Sequence, residues 1–354
     1  MLIATPAAAA PTDPGVVSDV RPLPSAQWLP NTAEASLLTY WSVGPHGVPM
    51  KSTGVVYLPE GQAPEGGWPV ISYAHGTTGI ADHCAPSRGV LPDLIVNKLN
   101  YWLTQGYAVV ATDYVGLGTD GVHPYLHGES ASNSVIDMVR AARSVTPSLS
   151  NSWAALGQSQ GGQAVLFTAH RATTYAPELD FRGTASTSAP SNIENLAFLG
   201  GPRFPDIPLS GTPTYIASIF TGVRAHYPEV DIDSYLTPLG RSIVDDIENN
   251  LCYDEAGKKY VDVTIGQLFS RPVDQKVVTV AHELLEIPPY GYDRPLFVAQ
   301  GREDRDVPIP LTLKLIADMR MNGVNVDFHT YPTGHTSVHL AAEEDITEFM
   351  AGLF

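Results

Sequence analysis

From residue 50 onward, short apolar runs alternate with segments of helical periodicity, and this alternation constrains the fold more than any other feature. Most of the apolar runs are bounded by glycine, proline or an acidic residue, as strands are. Strands are predicted at 52–58, 70–74, 107–113, 153–156 and 182–186, and helices at 92–105, 134–144 and 161–172. Strands that alternate with helices form a parallel sheet with right-handed crossovers.

The alternation stops at residue 191 and resumes at residue 294. The intervening 191–293 segment is punctuated by proline and mainly helical in pattern, and Thr212-Pro213 and Thr237-Pro238 each look like an N-cap followed by a first-turn proline. Afterwards a strand (295–300), a helix (311–321), a strand (325–331) and a helix (338–353) follow. We therefore predict an arm and lead-in (1–49), an α/β catalytic domain (50–190 and 294–354) and an inserted helical cap or lid (191–293).

Charge and cysteine content exclude several classes of protein. The net charge of −17 disfavours binding to phosphate backbones and to anionic membranes, so no nucleic-acid partner is expected. Two cysteines, Cys84 and Cys252, are too few for a tetrahedral thiolate metal site; they could form one disulfide in an oxidising compartment or stay as thiols.

The Ala/Pro-rich segment 1–15 has no basic region and is interpreted as the tail of an export signal or as a disordered arm.

The clearest chemical signal is the G-x-S-x-G pattern at 157–161, between a predicted strand and a predicted helix. A serine exposed on such a sharp turn takes strained dihedral angles, and Gly157 and Gly161 leave room for neighbouring backbone. The helix N-terminus behind Ser159 directs backbone N–H groups to where an oxyanion can form. Ser159 is therefore the predicted nucleophile; the alternative is a Gly-rich turn with a bystander serine.

The nucleophile needs a base and an acid that orients the base. In parallel-sheet hydrolases with this turn, the acid and then the histidine follow at the ends of later strands. Asp304 lies three residues past the glycine that follows strand 295–300 and is the predicted acid, with Glu303 and Asp306 as rivals.

Three histidines follow the acid. His335 lies in the loop after strand 325–331 and is the predicted base, because a base there can reach across to Ser159. His329 is placed within that strand, and His339 at the start of the last helix. His335 and His339 are four residues apart, which also suits two metal ligands on a helix, but a third ligand and an intervening glutamate are missing, so no metal site is predicted.

The first oxyanion donor is expected in the loop His75-Gly76-Thr77-Thr78-Gly79, directly after strand 70–74. The backbone N–H of Thr77, or of Thr78, would act together with that of Gln160. His75 is interpreted as a structural histidine that bonds loop carbonyls, and Gln158 and the Gln160 side chain as supporting groups.

Eight short motifs occur in order along the chain: HGTTG (75–79), CAPS (84–87), DYVGLG (113–118), HPYL (123–126), VIDMVRAAR (135–143), GQSQGG (157–162), G-x-x-D-x-x-V-P (301–308) and GH (334–335). In this combination the chain resembles the secretory lipases, the lipase A-like group of the α/β-hydrolase superfamily, and especially their bacterial members. It departs from the fungal members at Thr77-Thr78, where those carry an acidic residue near the first oxyanion donor.

The resemblance implies an α/β-hydrolase fold: a mostly parallel sheet, helices on both faces, and a helical cap between the sixth and seventh strands. It implies a secreted lipase or esterase that cleaves acyl esters through an acyl-enzyme and needs no cofactor. Ser159, Asp304 and His335 would form the triad, and secretion would bring a Cys84–Cys252 disulfide.

Other functions use the same residues. An acyltransferase or a peptidase or amidase could carry this triad, and a non-enzymatic binding protein could share the fold, although such proteins usually lose a triad member. The expected partner is a small-molecule or lipid ester, with at most transient contact to a lipid interface and no obligate protein partner. Apolar cap positions such as Ile216, Ile219, Phe220 and Val223 could bury an acyl chain or simply pack as helix core.

Overall fold

A computed structural model describes residues 12–205 and 211–354. Residues 1–11, which make up most of the segment interpreted as an export-signal tail or an arm, lie outside the described residues, as do residues 206–210 within the predicted cap.

In the described residues, a nine-stranded sheet runs through the centre of the fold. Its strands are β1 Val17–Pro22, β2 Thr32–Val43, β3 Pro49–Pro59, β4 Trp68–Ala74, β5 Ala108–Thr112, β6 Leu149–Gln158, β7 Asp180–Thr187, β8 Leu296–Gly301 and β9 Asp327–Tyr331. Their spatial order is β1-β2-β3-β5-β4-β6-β7-β8-β9. The pairings from β5 to β9 are parallel, whereas β1, β2 and β3 are antiparallel to their neighbours. The predicted fold class is confirmed.

Helices cover both faces of the sheet. They are α1 Asp93–Thr104, α2 Gly128–Val145, α3 Gln160–Tyr175, α9 Ile309–Met321, α10 Val338–Ala341 and α11 Glu343–Ala351. Helices α2, α3 and α9 share one buried apolar cluster with Val70 and Val298, and α1, α10 and α11 share another with Ile71 and Phe297. Neighbouring residues of one strand thus face opposite layers, as strand geometry requires.

Two strands precede residue 50, where the sequence pattern indicated only a lead-in. Strand β2 pairs with β3 over nearly its whole length and buries alternate residues such as Leu38 and Tyr40. Strand β1 adds an outer strand to β2, and its residues are mostly exposed, so it carries little apolar signal. With both strands counted, the helical cap follows the seventh strand in chain order, whereas the resemblance implied the sixth.

The cap contains five α-helices among its described residues: α4 Thr212–His226, α5 Pro238–Asn249, α6 Tyr253–Lys259, α7 Ile265–Leu268 and α8 Gln275–Leu285. They bury their own apolar cluster, which includes Phe220 and Ile243. The Thr237 hydroxyl caps α5 by accepting from the Gly240 N–H, as predicted. At the other predicted cap, the helix begins one residue earlier, with Gly211 as N-cap.

A disulfide joins Cys84, in the segment after β4, to Cys252 at the start of α6. The two residues are 168 apart in sequence, and the Thr78 carbonyl also accepts from the Tyr253 N–H. The loop that follows β4 is therefore fastened to the cap. None of the helices in the described ranges is long and apolar enough to cross a membrane.

Removing this disulfide should destabilise the protein. In the chain-entropy model, a crosslink that closes so long a loop contributes roughly 4–5 kcal/mol by restricting the unfolded chain. We expect the Cys84→Ser/Cys252→Ser double variant to lose up to that much free energy of unfolding in urea titrations, and dithiothreitol to lower the wild-type midpoint but not that of the variant. An unchanged midpoint in both experiments would contradict a stabilising disulfide.

Candidate active site

Ser159 occupies the turn between β6 and α3. Its backbone has φ 57° and ψ −122°, a positive-φ conformation outside the ordinary allowed regions that is strained for a residue with a side chain. A Cβ on Gly161 would lie 1.9 Å from the Ala74 carbonyl oxygen, and one on Gly157 would lie 2.2 Å from the Gly161 oxygen. Both glycines are therefore needed to fit the turn against the neighbouring backbone, as the motif predicts.

The His335 imidazole lies between Ser159 and Asp304. Its Nε2 is 2.8 Å from the Ser159 Oγ, and its Nδ1 is 2.8 Å from the Asp304 Oδ2. A carboxylate can only accept, so Nδ1 carries the proton and Nε2 is left to accept from the serine hydroxyl. The three residues, from loops after β6, β8 and β9, form one continuous hydrogen-bonded chain.

The Asp304 carboxylate is buried and accepts several hydrogen bonds. Its Oδ1 accepts from the backbone N–H groups of Asp306 (3.0 Å) and Val307 (2.8 Å), and its Oδ2 from the Gln300 side-chain amide (2.9 Å). Burial alone would raise the pKa of this carboxyl, but the hydrogen bonds from His335 and Val307 outweigh it and hold the pKa below its ordinary value. The carboxylate is thus ionised where it faces the imidazole.

Glu303 and the two rival histidines occupy other environments. Glu303 is exposed to solvent. The His329 imidazole bonds the Asp327 carboxylate (2.8 Å) on strand β9. His339 is buried in α10. The structure brings Asp304 and His335 to Ser159, and neither of the other two histidines bonds that serine.

Two groups of side chains in the described residues have the spacing of metal ligands. One consists of Asp304, Asp306 and His335, whose ligand atoms lie within 4.8 Å of one another. In this group His335 already bridges Asp304 and Ser159. The other consists of His83 with the two cysteines, whose sulfur atoms are joined in the disulfide. His339 belongs to neither group.

The predicted oxyanion donors lie next to the serine. Gln160 is the first residue of α3, and a Cβ on Gly76 would lie 3.7 Å from the Ser159 Cβ, so the loop carrying Thr77 passes beside Ser159. Within the described part of the chain, the backbone N–H groups of Thr77 and Gln160 have no hydrogen-bond acceptor. The His75 ring lies against the carbonyls of Gly76 and Asp113, in agreement with a structural histidine.

Two supporting side chains tie these loops together. Gln158 donates from Nε2 to the His335 carbonyl (3.0 Å) and accepts from the Lys98 ammonium (3.0 Å). Gln300 donates to Asp304 and to the Val307 carbonyl (2.9 Å each). Gln300 is missing from the sequence-based site; its only sequence signal is a polar residue that ends an otherwise apolar strand.

A cavity of about 340 Å³ opens at Ser159 and His335. Its walls come mainly from apolar side chains of the cap. They include four positions for which the sequence allowed either binding of an acyl chain or packing as helix core: Ile216, Ile219, Phe220 and Val223. Arg305 and Asp306, which also line it, belong to the loop of Asp304. The site can therefore place an apolar chain in the cap with a polar group at the serine.

A mostly parallel sheet that presents a strained serine after one strand, and an acid and a histidine after two later strands, defines an α/β-hydrolase. Solved structures share this fold. Candida antarctica lipase A in its closed state is similar over 96% of this chain and 82% of its own, with a TM-score of 0.77 and 19% identity. The rice cell wall degrading esterase LipA from Xanthomonas oryzae is similar over 97% of this chain and 100% of its own, with a TM-score of 0.74 and 19% identity.

Sequence relatives narrow the class further. Lipase A from Moesziomyces aphidis is 24% identical over 93% of this chain and 73% of its own length. The secreted triacylglycerol lipase LIP4 from Malassezia furfur is 25% identical over 74% of this chain, but the match spans only about half (51%) of LIP4. The secretory lipase family model matches residues 91–347. The chain therefore belongs to the secretory lipase family, and it is a carboxylic ester hydrolase.

Proposed function

We propose that this protein is a secreted lipase or esterase that hydrolyses acyl esters with a Ser159–His335–Asp304 triad through an acyl-enzyme. The observation that carries the proposal is the unbroken hydrogen-bonded chain of these three side chains, with 2.8 Å at both junctions. The family membership supports the same class of reaction.

In the first step, His335 Nε2 takes the hydroxyl proton as Ser159 Oγ attacks the ester carbonyl carbon. The carbonyl π electrons move to oxygen, and the backbone N–H groups of Thr77 and Gln160 stabilise this oxyanion. The imidazolium then gives its proton to the departing alcohol. In the second step, His335 deprotonates a water that attacks the carbonyl carbon of the acyl-enzyme. The bond between that carbon and Ser159 Oγ then breaks, the imidazolium returns its proton to Oγ, and the carboxylic acid leaves. Asp304 holds the imidazole in the required tautomer throughout and stabilises its cation.

The apolar cavity favours an acyl chain as the group bound beside the triad. The cap (191–293) supplies most of the wall, and the catalytic domain (50–190 and 294–354) supplies the reacting groups. Leu196 and Leu199 line the cavity and are nearly half exposed (47% and 45%), which would allow transient contact with a lipid interface at its rim.

Narrowing the cavity should shift the chain-length preference toward short esters. An Ile219→Trp substitution fills space in which an acyl chain would lie, and displacing two methylene groups costs about 1.6 kcal/mol, a factor of roughly 15. We expect kcat/KM for p-nitrophenyl decanoate to fall by at least that factor relative to the acetate. Leu239→Trp, at an exposed position of α5, is the matched control and should leave the ratio unchanged. If both substitutions leave the ratio unchanged, the acyl chain does not occupy this cavity.

The reaction class is tested by a substrate panel. We expect turnover of p-nitrophenyl butyrate and of a triglyceride emulsion in the presence of EDTA, and no turnover of the corresponding p-nitroanilide. Preferential cleavage of the anilide would indicate an amidase. Acyl transfer to an added alcohol that outruns hydrolysis in dilute aqueous solution would indicate an acyltransferase.

Secretion is tested in the producing cell. The disulfide fits an oxidising compartment, and the family and one relative bear secretory names. We expect the oxidised form in the culture medium, and accumulation of active enzyme only in the cytosol would contradict this assignment.

A further inference from the structure

The segment His123-Pro124-Tyr125 lies beneath the oxyanion hole and contacts both of its proposed donor residues. It precedes α2 in sequence and belongs to neither of the loops that carry those donors. His123 and Tyr125 are both buried, with 2% and 3% of their surface exposed. Neither has a role in the proton transfers of the proposed mechanism.

The first contact is between His123 and Gln160. The His123 Nδ1 is 3.0 Å from the Val115 carbonyl oxygen, which can only accept, so Nδ1 carries the proton. The Nε2 lone pair is then free to accept from the Gln160 side-chain amide at 2.9 Å. Burial lowers the pKa of His123 to about 3, so the ring keeps this acceptor throughout the neutral range.

The second contact is between Tyr125 and Thr77. The phenol oxygen lies 2.6 Å from the Thr77 Oγ1. Tyr114 contacts both sides of this arrangement. Its ring stacks on that of His123 with centroids 5.7 Å apart. Its hydroxyl donates to the carbonyl of His75, two residues before Thr77 (2.8 Å). One segment is thus bonded to the side chains of both donor residues.

Two residues near this segment, one nine positions before His123 and one directly after Tyr125, have strained backbone. Tyr114 (φ 71°) and Leu126 (φ 59°) both take the left-handed conformation that non-glycine residues rarely adopt. Such conformations persist only where the surrounding structure enforces them, and they concentrate near functional sites. The segment is therefore held in one position, which is what a support for catalytic groups requires.

We infer that His123 and Tyr125 are positioning residues that hold the two oxyanion donors at a fixed separation, His123 through the Gln160 side chain and Tyr125 through the Thr77 side chain. The inference rests on the proposed function, because it assigns these donors to the oxyanion. Oxyanion stabilisation depends on donors that are already oriented when the charge develops. If the side chain of Gln160 or of Thr77 loses its bonding partner, the backbone N–H of the same residue can move. This movement weakens transition-state binding more than substrate binding.

The test uses Tyr125→Phe, which removes one oxygen atom, and His123→Phe, which keeps the aromatic stacking but removes both ring nitrogens. Complete removal of one oxyanion donor costs about 10²–10³ in kcat, so loss of its positioning should cost roughly 10- to 100-fold. We expect kcat for p-nitrophenyl butyrate to fall by that factor with KM within twofold of wild type. Tyr101→Phe is the matched control: among the residues that the structure describes, its hydroxyl bonds only Thr347 Oγ1, and kcat should not change.

A double-mutant cycle separates positioning from general destabilisation. If Tyr125 acts through Thr77, then Thr77→Val should lower kcat like Tyr125→Phe, and the double variant should lose no more than either single one. The affinity for an alkyl boronic acid, which forms a tetrahedral adduct with the serine, should weaken in parallel with kcat. Multiplicative losses in the cycle, or wild-type kcat in Tyr125→Phe, would overturn the inference even if His123→Phe fails to fold.

Failure of the inference is distinct from failure of the proposed function. If the wild-type protein hydrolyses esters and the variants do so equally well, only the positioning role is wrong. If the wild-type protein hydrolyses no ester and forms no boronate adduct, the proposed function is wrong and the inference is rejected with it.

Discussion

Replacing Ser159 with alanine is expected to lower kcat for p-nitrophenyl butyrate by about 10⁶-fold, because loss of the nucleophile of a serine triad removes nearly all of its catalysis. The Ser159 Oγ bonds only the His335 ring among the described residues, so its removal leaves the supporting contacts of Asp304 and Gln158 in place. The variant should therefore fold like wild type, with the same circular dichroism spectrum and thermal midpoint within a few degrees.

The matched control is Ser144→Ala, near the end of α2. It removes a hydroxyl whose only hydrogen bond within residues 12–205 and 211–354 is to the Ala141 carbonyl. It should retain full activity. Residual turnover in Ser159→Ala above about 1% of wild type, in a preparation free of contaminating esterase, would contradict the assignment of the nucleophile.

Asp304→Asn has the second largest expected effect, a loss of about 10⁴-fold in kcat. An amide can donate to Nδ1, which turns the ring into the tautomer whose Nε2 carries the proton and can no longer accept from Ser159. The substitution keeps the size of the side chain and the hydrogen bonds from the Asp306 and Val307 backbone N–H groups. The fall in kcat therefore measures the effect of the charge and of the imidazole tautomer, and not of a change in shape.

Asp306→Asn and Glu303→Gln are the controls, since they test the two rival acids of the same loop. Both should keep kcat within about tenfold of wild type, because neither carboxylate bonds the His335 ring in the structure. The opposite ranking, with Asp306→Asn far more damaging than Asp304→Asn, would transfer the role of the acid to Asp306.

Features of the fold and site could be predicted from the sequence wherever contacts over a few residues determine which residue type fits. The turn at Ser159 admits only glycine at positions 157 and 161, for steric reasons that act over a few residues, and the pattern therefore shows in the sequence. The strands and helices that bury one or both faces were found for a similar reason, since β6 and β8 contain continuous buried runs and α3 buries most of its residues. The parallel order of the sheet followed from their alternation.

What escaped prediction depends on contacts between distant segments. His123 meets Gln160 across 37 residues, and nothing in the sequence around either residue indicates the pairing. Strand β1 lies at the edge of the sheet with mostly exposed residues, so pairing with β2, not apolar periodicity, defines it.

Covalent labelling tests the central claim most directly. The protein is incubated with a fluorophosphonate, residual esterase activity is followed, and the modified residue is located by peptide mass mapping. We predict one adduct per chain on Ser159, formed at the same rate as activity is lost, and none in Ser159→Ala. Loss of activity with the adduct on another residue, or full activity after Ser159 has been modified, would contradict the claim that Ser159 is the nucleophile of this hydrolase.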